Sequence, residues 1–136
     1  MNSKNNFIDI ITPLVADLYV MSETDAALTP FVWEDFSVEK KIEKDTILEY
    51  LQKEKDTTFE SISLERFFKP FLKIRKDDDE DTIATAQQFK TLEEKLIEIL
   101  KEIEVLRIGT VEIDVYIVGK NEQNQYVGLQ TFVVET

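Results

Sequence analysis

The sequence contains no cysteine and no histidine, and its three glycines are scattered singly through the C-terminal third. Without cysteine there is no disulfide framework and no thiolate metal site, although this absence identifies no cellular compartment. Without histidine the chain lacks the commonest general base and the commonest transition-metal ligand. A histidine-dependent triad and a glycine-rich phosphate loop are therefore excluded. We expect neither enzymatic activity nor a cofactor of the chain's own.

Long apolar runs are also missing, since no stretch is long enough to span a bilayer. The apolar N-terminal stretch does not have the form of a signal peptide, because Asp9 and Pro13 interrupt it and Asp17 follows. We therefore expect a soluble, cytoplasmic protein that does not bind a membrane.

Positive charge is scarce relative to negative charge. The chain has 28 Asp and Glu against 16 Lys and Arg, a net charge of −12. Phosphate binding needs cations that replace counterions, so we expect no direct contact with nucleic acid. A basic protein partner fits better, because opposite fields steer encounter. Acidity that serves only solubility is the alternative explanation. Carboxylate pairs are so common here that none stands out as an acid–base dyad.

Hydrophobic periodicity and turn residues indicate alternating helices and short strands. The first helix contains Pro13, which either ends or kinks it, or lies at the first position of a new helix capped by Thr12. In chain order the pattern predicts a helix at 3–19, a polar turn at 22–25, a strand at 31–34, a helix at 42–51, a strand at 58–64 and a helical turn at 65–70 stopped by Pro70.

The densest run of charge, 77–81, precedes the clearest helical pattern of the chain. The run lacks the glycine and the twelfth-position glutamate of an EF-hand loop, which argues against a calcium site. Acidic residues favour the first turn of a helix, and this explanation competes with a partner contact. The apolar stripe of the predicted helix comprises Ala86, Phe89, Leu92, Leu96, Ile99, Leu100 and Ile103.

The last stretch, 105–136, predicts two β-strands joined by a polar loop at 119–125. In the first strand apolar and polar residues alternate, which places Val111, Ile113, Val115 and Ile117 on one buried face. The second strand covers 126–134, so the last residues are expected to lie close to a sheet. With no internal repeat and no linker, 1–136 is predicted to be one domain, and a monomer rather than a dimer paired through an exposed edge strand.

These stretches resemble the nuclease A inhibitor family, which comprises small acidic bacterial proteins that block sugar-non-specific, Mg²⁺-dependent DNA/RNA endonucleases. The resemblance implies an α+β fold, a single-domain three-layer α/β/α sandwich with a small, largely antiparallel central sheet. It covers most of the chain and is weakest over 35–66. The matching segments are Met21-Ser22-Glu23, Phe31-Val32-Trp33-Glu34, Phe67-Phe68, the acidic run with its helix, Val105 to Gly119, and Val133-Val134-Glu135-Thr136.

The resemblance also implies how the family acts. The C-terminal threonine, here Thr136, joins the coordination sphere of the partner nuclease's Mg²⁺, and Glu23 pairs with an arginine of the nuclease. Glu135, Trp33 and Glu34 are further candidate contacts, although packing is the competing explanation for Trp33. Family members can carry an exposed tryptophan before the acidic run, whereas this chain has Arg75-Lys76-Asp77-Asp78. The alternative function is an acidic DNA-mimic or immunity-like protein with another partner.

Overall fold

The structure is a computed structural model that describes residues 3–37 and 39–135, with the side chains of residues 3–6 excepted. Four helices and seven strands follow one another along these residues. In chain order they are α1 (Ser3–Val15), β1 (Tyr19–Met21), β2 (Asp25–Ala27), β3 (Thr29–Trp33), α2 (Lys44–Tyr50), β4 (Phe59–Ile62), α3 (Leu64–Leu72), α4 (Glu80–Ile99), β5 (Lys101–Ile108), β6 (Glu112–Lys120) and β7 (Tyr126–Val134).

The main sheet has five strands in the order β3-β7-β6-β5-β4, and every neighbouring pair is antiparallel. The two predicted C-terminal strands are its centre, because β6 pairs with β7 along its whole length, from Glu112↔Val134 to Lys120↔Tyr126. The region 105–136 also contains the second half of β5, a third strand that the prediction missed. The separate β1-β2 pair forms a two-stranded sheet.

Helices cover both faces of the main sheet, so the predicted α+β sandwich of three layers is confirmed. On one face α1, α3 and α4 bury a core with Val115 and Ile117 of β6. On the other face α2 and the segment before it pack against Tyr116 and Val118. Burial on both faces explains why alternation in β6 is incomplete. That residues 1–136 form one domain stays a prediction.

The prediction that Val111 lies on the buried face is wrong. It is 47% exposed, whereas Ile113, Val115 and Ile117 are buried as expected. Val111 precedes β6, in the tight connection after β5, and its carbonyl accepts a hydrogen bond from Glu135. The alternating pattern therefore extended one residue beyond the strand that it identified.

Both prolines in the predicted helices lie inside helices that continue past them. In α1, Thr12 caps no new helix; its hydroxyl donates to the Ile8 carbonyl, and the helix ends at Val15. The prediction that Pro70 stops α3 is wrong. A proline removes one intrahelical hydrogen bond, but packing of the following residue compensates here. Phe71, directly after Pro70, stacks on Phe89 of α4 with ring centroids 4.8 Å apart.

The predicted long helix is confirmed as α4, but it ends earlier than its apolar stripe suggested. Leu100 has extended backbone angles and Ile103 belongs to β5. The strand starts irregularly, because Glu102 has a φ of 53° and the register with β6 shifts between Lys101 and Glu104. Apolar residues at 100 and 103 fit helical spacing and strand burial equally well, so spacing alone could not locate this boundary.

Candidate functional site

The turn between β1 and β2 is tied to the end of β7. The Ser22 hydroxyl oxygen accepts a hydrogen bond from the Val134 N–H at 3.1 Å and donates to the Thr24 carbonyl at 2.8 Å. The backbone N–H of Glu23 donates to the Val134 carbonyl at 3.4 Å. The predicted polar turn therefore holds Glu23, whose side chain is exposed, directly beside the last residues of the chain.

Glu135 lies at the same end of the main sheet, which we call the Glu23–Glu135 edge. It is fixed there by its backbone and by its side chain. Its N–H donates to the Val111 carbonyl at 2.9 Å, which extends the pairing beyond the last residue of β7. Its Oε1 accepts a hydrogen bond from Arg107 Nη2 at 2.7 Å. Thr136, the predicted metal-directed residue, lies outside the described residues, and Glu135 is the last residue before it.

Arg107 lies between two carboxylates and was missed by the sequence reasoning. Besides Glu135, its Nε is 3.5 Å from Glu60 Oε1, so the arginine joins β4, β5 and the end of β7. Its side chain is 21% exposed, which favours a defined geometry over a loose surface pair. The available signal was a lone cation within the apolar segment 105–108, whose partners are 47 positions before it and 28 after it in sequence.

A shallow groove of about 420 Å³ opens beside Glu135. Its apolar lining includes Phe67 and Phe71 of α3 and Val133 of β7. Met21, which also lines the groove, is 72% exposed. The edge therefore combines carboxylates with exposed apolar surface, a combination that suits a protein partner.

Trp33 and Glu34 lie at the opposite end of the sheet. Trp33 pairs with Tyr126 at the start of β7, whereas the Glu23 turn contacts Val134 at its end. These ends are about 26 Å apart at about 3.3 Å per strand residue. Glu23 and Glu135 are brought together, but Trp33 and Glu34 do not join them.

Trp33 has the environment of a packing residue. It is 7% exposed and contacts four aromatic rings, with centroids 4.9 Å from Phe31, 5.3 Å from Tyr50, 5.6 Å from Tyr116 and 5.7 Å from Phe36. In this cluster burial raises the pKa of Tyr50, and the carboxylates of Asp35 and Glu34 raise it further. A partner contact at Trp33 and Glu34 stays a prediction. The burial of the Trp33 indole does not support such a contact for this residue.

The acidic run has a structural role at two of its positions. Asp79 is the N-cap of α4, and its Oδ1 accepts a hydrogen bond from the Thr82 N–H at 2.8 Å. Hydrogen bonds from the side chain and the backbone of Thr82 lower the pKa of Asp79. Asp78 Oδ2 accepts from the Arg75 N–H at 2.6 Å. The explanation as a helix start is confirmed for Asp79, whereas Asp78 stabilises the turn before the helix.

The described part of the chain has neither a cluster of metal ligands nor a membrane-spanning helix. Among residues 3–37 and 39–135, no group of three or more carboxylates is arranged to hold a metal ion. None of the helices described is long and apolar enough to cross a bilayer. The absence of a cofactor and the cytoplasmic location stay predictions.

Comparison with known proteins gives one match and one negative result. A family model described as "Nuclease A inhibitor-like protein" matches residues 5–136. The match includes the Glu23 turn, Arg107 and the whole C-terminal segment. A search of curated proteins found no significant match.

Proposed function

This chain belongs to the nuclease A inhibitor-like family, and from that membership we propose that it inhibits a sugar-non-specific, Mg²⁺-dependent endonuclease. In this proposal the edge formed by the Glu23 turn and the Glu135-Thr136 end enters the nuclease active site. The protein itself needs neither a metal nor a cofactor, and acts as a monomer by occupying the place of the substrate phosphate.

Glu23 is proposed to pair with an arginine of the nuclease. A carboxylate facing a guanidinium offers two oxygens in the geometry that a phosphate would offer, and such bidentate pairs are both strong and specific. The position of Glu23 supports this role, because the turn that carries it is hydrogen-bonded to β7 through Ser22 and through its own N–H. A side chain on a fixed backbone loses less conformational entropy on binding than one on a mobile loop.

Thr136 is proposed to supply oxygen donors to the nuclease's Mg²⁺. This ion prefers oxygen ligands and keeps positions open for substrate phosphate. In this proposal Thr136 supplies its hydroxyl and an α-carboxylate, and a terminal carboxylate with a pKa of about 3.3–3.7 is anionic at neutral pH. Glu135 then acts as the support, since its N–H and its side chain are both hydrogen-bonded.

One observation carries the proposal beyond family membership. Between Glu23 and Glu135 lie 111 residues of sequence. The turn that carries Glu23 is nevertheless hydrogen-bonded to Val134, the residue before Glu135. The resemblance implied the Glu23 turn and the C-terminal end as two distinct contacts, and in the structure they adjoin. The net charge of −12 supports the same proposal, because it favours encounter with a basic active-site cleft.

An inhibition titration with two substrates tests the proposed function. A purified Mg²⁺-dependent nuclease is incubated with increasing protein and assayed on DNA and on RNA. We expect both activities to fall at the same protein concentration, and the apparent inhibition constant to rise with substrate concentration, because one active site serves both substrates. Binding without loss of either activity would favour the immunity-like or DNA-mimic function with another partner.

A further inference from the structure

A second surface lies between α3 and α4, on the side of α3 away from Glu135. The helices are held together by aromatic contacts, with Phe71 stacked on Phe89 at 4.8 Å and Phe68 edge-on to Phe89 at 6.2 Å. Outside this contact they leave an open groove of about 1120 Å³. It shares only its border with the smaller groove beside Glu135, through Arg66 and Pro70.

The lining of the α3–α4 groove is strongly basic in a strongly acidic protein. Its cations are Arg66, Lys69, Lys73, Arg75 and Lys90. They face only two carboxylates, Glu65 and Glu93. The chain has 16 cations against 28 acids in total, so a random distribution would surround any groove with more acids than bases. The lining of the α3–α4 groove therefore has five cations and two carboxylates, the reverse of the balance in the whole chain.

Most of these cations have no internal partner. Lys90 Nζ is 4.0 Å from Glu93 Oε1, at the limit of an ion pair. In the part of the chain that the structure describes, no ion pair within 4 Å involves Arg66, Lys69, Lys73 or Arg75. By contrast, Lys53, Arg107 and Lys120 each have a carboxylate within 2.8 Å. Other described lysines, such as Lys44 and Lys55, are likewise without an ion pair, so what distinguishes the α3–α4 groove is that several such cations line one surface.

Apolar surface lies among these charges. Ile97 of α4 is 61% exposed at the groove wall, and Pro70 and Leu72 of α3 also contribute to it. No described residue of the lining is aromatic, so nucleic-acid bases would find no ring on which to stack. The total charge of −12 further opposes a long polyanion. The lining matches a ligand that carries carboxylates and aliphatic side chains together.

We propose that the α3–α4 groove binds an acidic amphipathic peptide segment of another protein. Carboxylates of the segment pair with Lys69, Lys73 and Arg75, while its aliphatic side chains cover Ile97. Grooves between helices suit amphipathic segments of this kind. The site meets the groove beside Glu135 at Arg66 and Pro70, but its cations Lys69, Lys73 and Arg75 lie outside that groove, so the proposal does not depend on nuclease inhibition.

The test measures binding of a fluorescent peptide rich in Glu and Leu at helical spacing, by anisotropy at low and high salt. The double variant Lys69→Glu/Lys73→Glu is compared with Lys44→Glu/Lys55→Glu, which makes the same charge change at exposed lysines away from the groove. We expect the groove variant to bind about tenfold more weakly or worse and the control to stay within about twofold. Salt should weaken binding to the unaltered protein.

Two further measurements complete the test. The neutral variant Lys69→Gln/Lys73→Gln should give a smaller loss than charge reversal, and circular dichroism should show the same fold for all variants. The proposal is overturned by absence of saturable binding, by equal losses in both charge-reversed variants, or by a stronger affinity for a single-stranded oligonucleotide. It is also overturned if sedimentation equilibrium shows self-association that the groove variant abolishes, because the occupant would then be a second copy of the chain.

Discussion

Arg107 is the residue on which the geometry of the proposed inhibitory edge depends most. It is the point where Glu60 of β4, its own strand β5 and Glu135 after β7 meet. The Glu60 and Glu135 side chains are more than half exposed, and ion pairs with exposed carboxylates contribute about 0–1 kcal/mol to stability, so the effect of Arg107 on the fold is small. Its larger effect concerns position, because the Glu135 side chain has this guanidinium as its bonded partner at 2.7 Å.

Replacing Arg107 by Gln should therefore weaken inhibition while leaving the fold intact. The last residues lose a fixed orientation, so we expect about tenfold weaker inhibition, mainly through faster dissociation. A double-mutant cycle with removal of Thr136 separates positioning from other effects. If Arg107 acts through the chain end, its replacement has little further effect once Thr136 is gone.

Lys53→Gln provides the matched control for Arg107, because Lys53 also forms a 2.8 Å ion pair with a strand residue, Asp114. Hydrogen exchange of Val133 and Val134 in the free protein gives a readout without nuclease. Unchanged exchange in Arg107→Gln, together with unchanged inhibition, would rule out a positioning role.

Glu23 should affect the rate of association more than the fold. We expect Glu23→Gln to slow association with the nuclease, and to slow it more at low salt than at high salt, because screening removes the steering by this charge. Stopped-flow measurements at two ionic strengths check this. Glu122→Gln, which removes one charge from the exposed loop before β7 at the other end of the sheet, is the control. Equal rates for both variants at both salt concentrations would count against a direct role of Glu23.

Trp33 separates packing from partner contact. Because its ring is buried among other aromatic rings, Trp33→Phe should lower the free energy of unfolding by about 1–3 kcal/mol. Inhibition measured well below the melting temperature should stay unchanged. Denaturant titration gives the first quantity and a nuclease assay the second. A large loss of inhibition in a folded Trp33→Phe protein would instead show that the indole contacts the partner.

At the scale of elements, most helices and strands could be predicted but several of their ends could not. The 20 residues of α4 have a long apolar stripe and an acidic start, so the helix was found from its pattern. Pro70 and Ile103 misled the prediction because the decisive contacts are tertiary. Phe71, after the proline of α3, stacks on Phe89. Ile103 belongs to β5, whose residues on either side of it, Lys101 and Glu104, pair with β6.

The start of α4 gives a prediction about pH. Asp79 accepts hydrogen bonds as a carboxylate, and its pKa is lowered. A depressed pKa stabilises the folded state above the ordinary Asp value of about 3.9. This stabilisation is lost as the pH falls through the lowered folded-state value. Asp79→Ala should therefore melt at a lower temperature than the unaltered protein at neutral pH, and the difference should narrow in acid.

Thermal melts of Asp79→Ala between neutral pH and strong acid measure this dependence. Asp77→Ala is the control, since Asp77 is exposed and belongs to the same acidic run. A difference that persisted unchanged into strong acid would mean that the capping interaction does not depend on the carboxylate charge.

At the scale of the whole molecule, the sandwich presents one edge and one groove with opposite charge. The sequence and its family resemblance identified Glu23, Glu135 and Thr136 as candidates. They could not show that the first two adjoin, because this depends on a hydrogen bond between Ser22 and Val134, 112 positions apart. For the same reason Trp33 and Glu34 were grouped with them, although antiparallel pairing of β3 with β7 places them at the far end.

The α3–α4 groove was also beyond sequence reasoning. Its cations come from two helices and the segment between them. In the sequence each of them alone is an ordinary solvent-exposed residue. Only the packing of α3 on α4 collects them on one surface. The total charge of −12 therefore describes the average of the surface and conceals a basic region.

The most direct test of the account is an inhibition assay that changes only the last residue. The full chain, the chain without Thr136 and a chain extended beyond Thr136 by a short Gly-Ser tag are titrated against the same Mg²⁺-dependent nuclease, with an N-terminally tagged chain as control. We predict that removal or extension weakens inhibition at least about a hundredfold, with unchanged melting temperatures, and that the N-terminal tag has no effect. Equal inhibition by the C-terminally extended and unextended chains would contradict insertion of Thr136 into the active site.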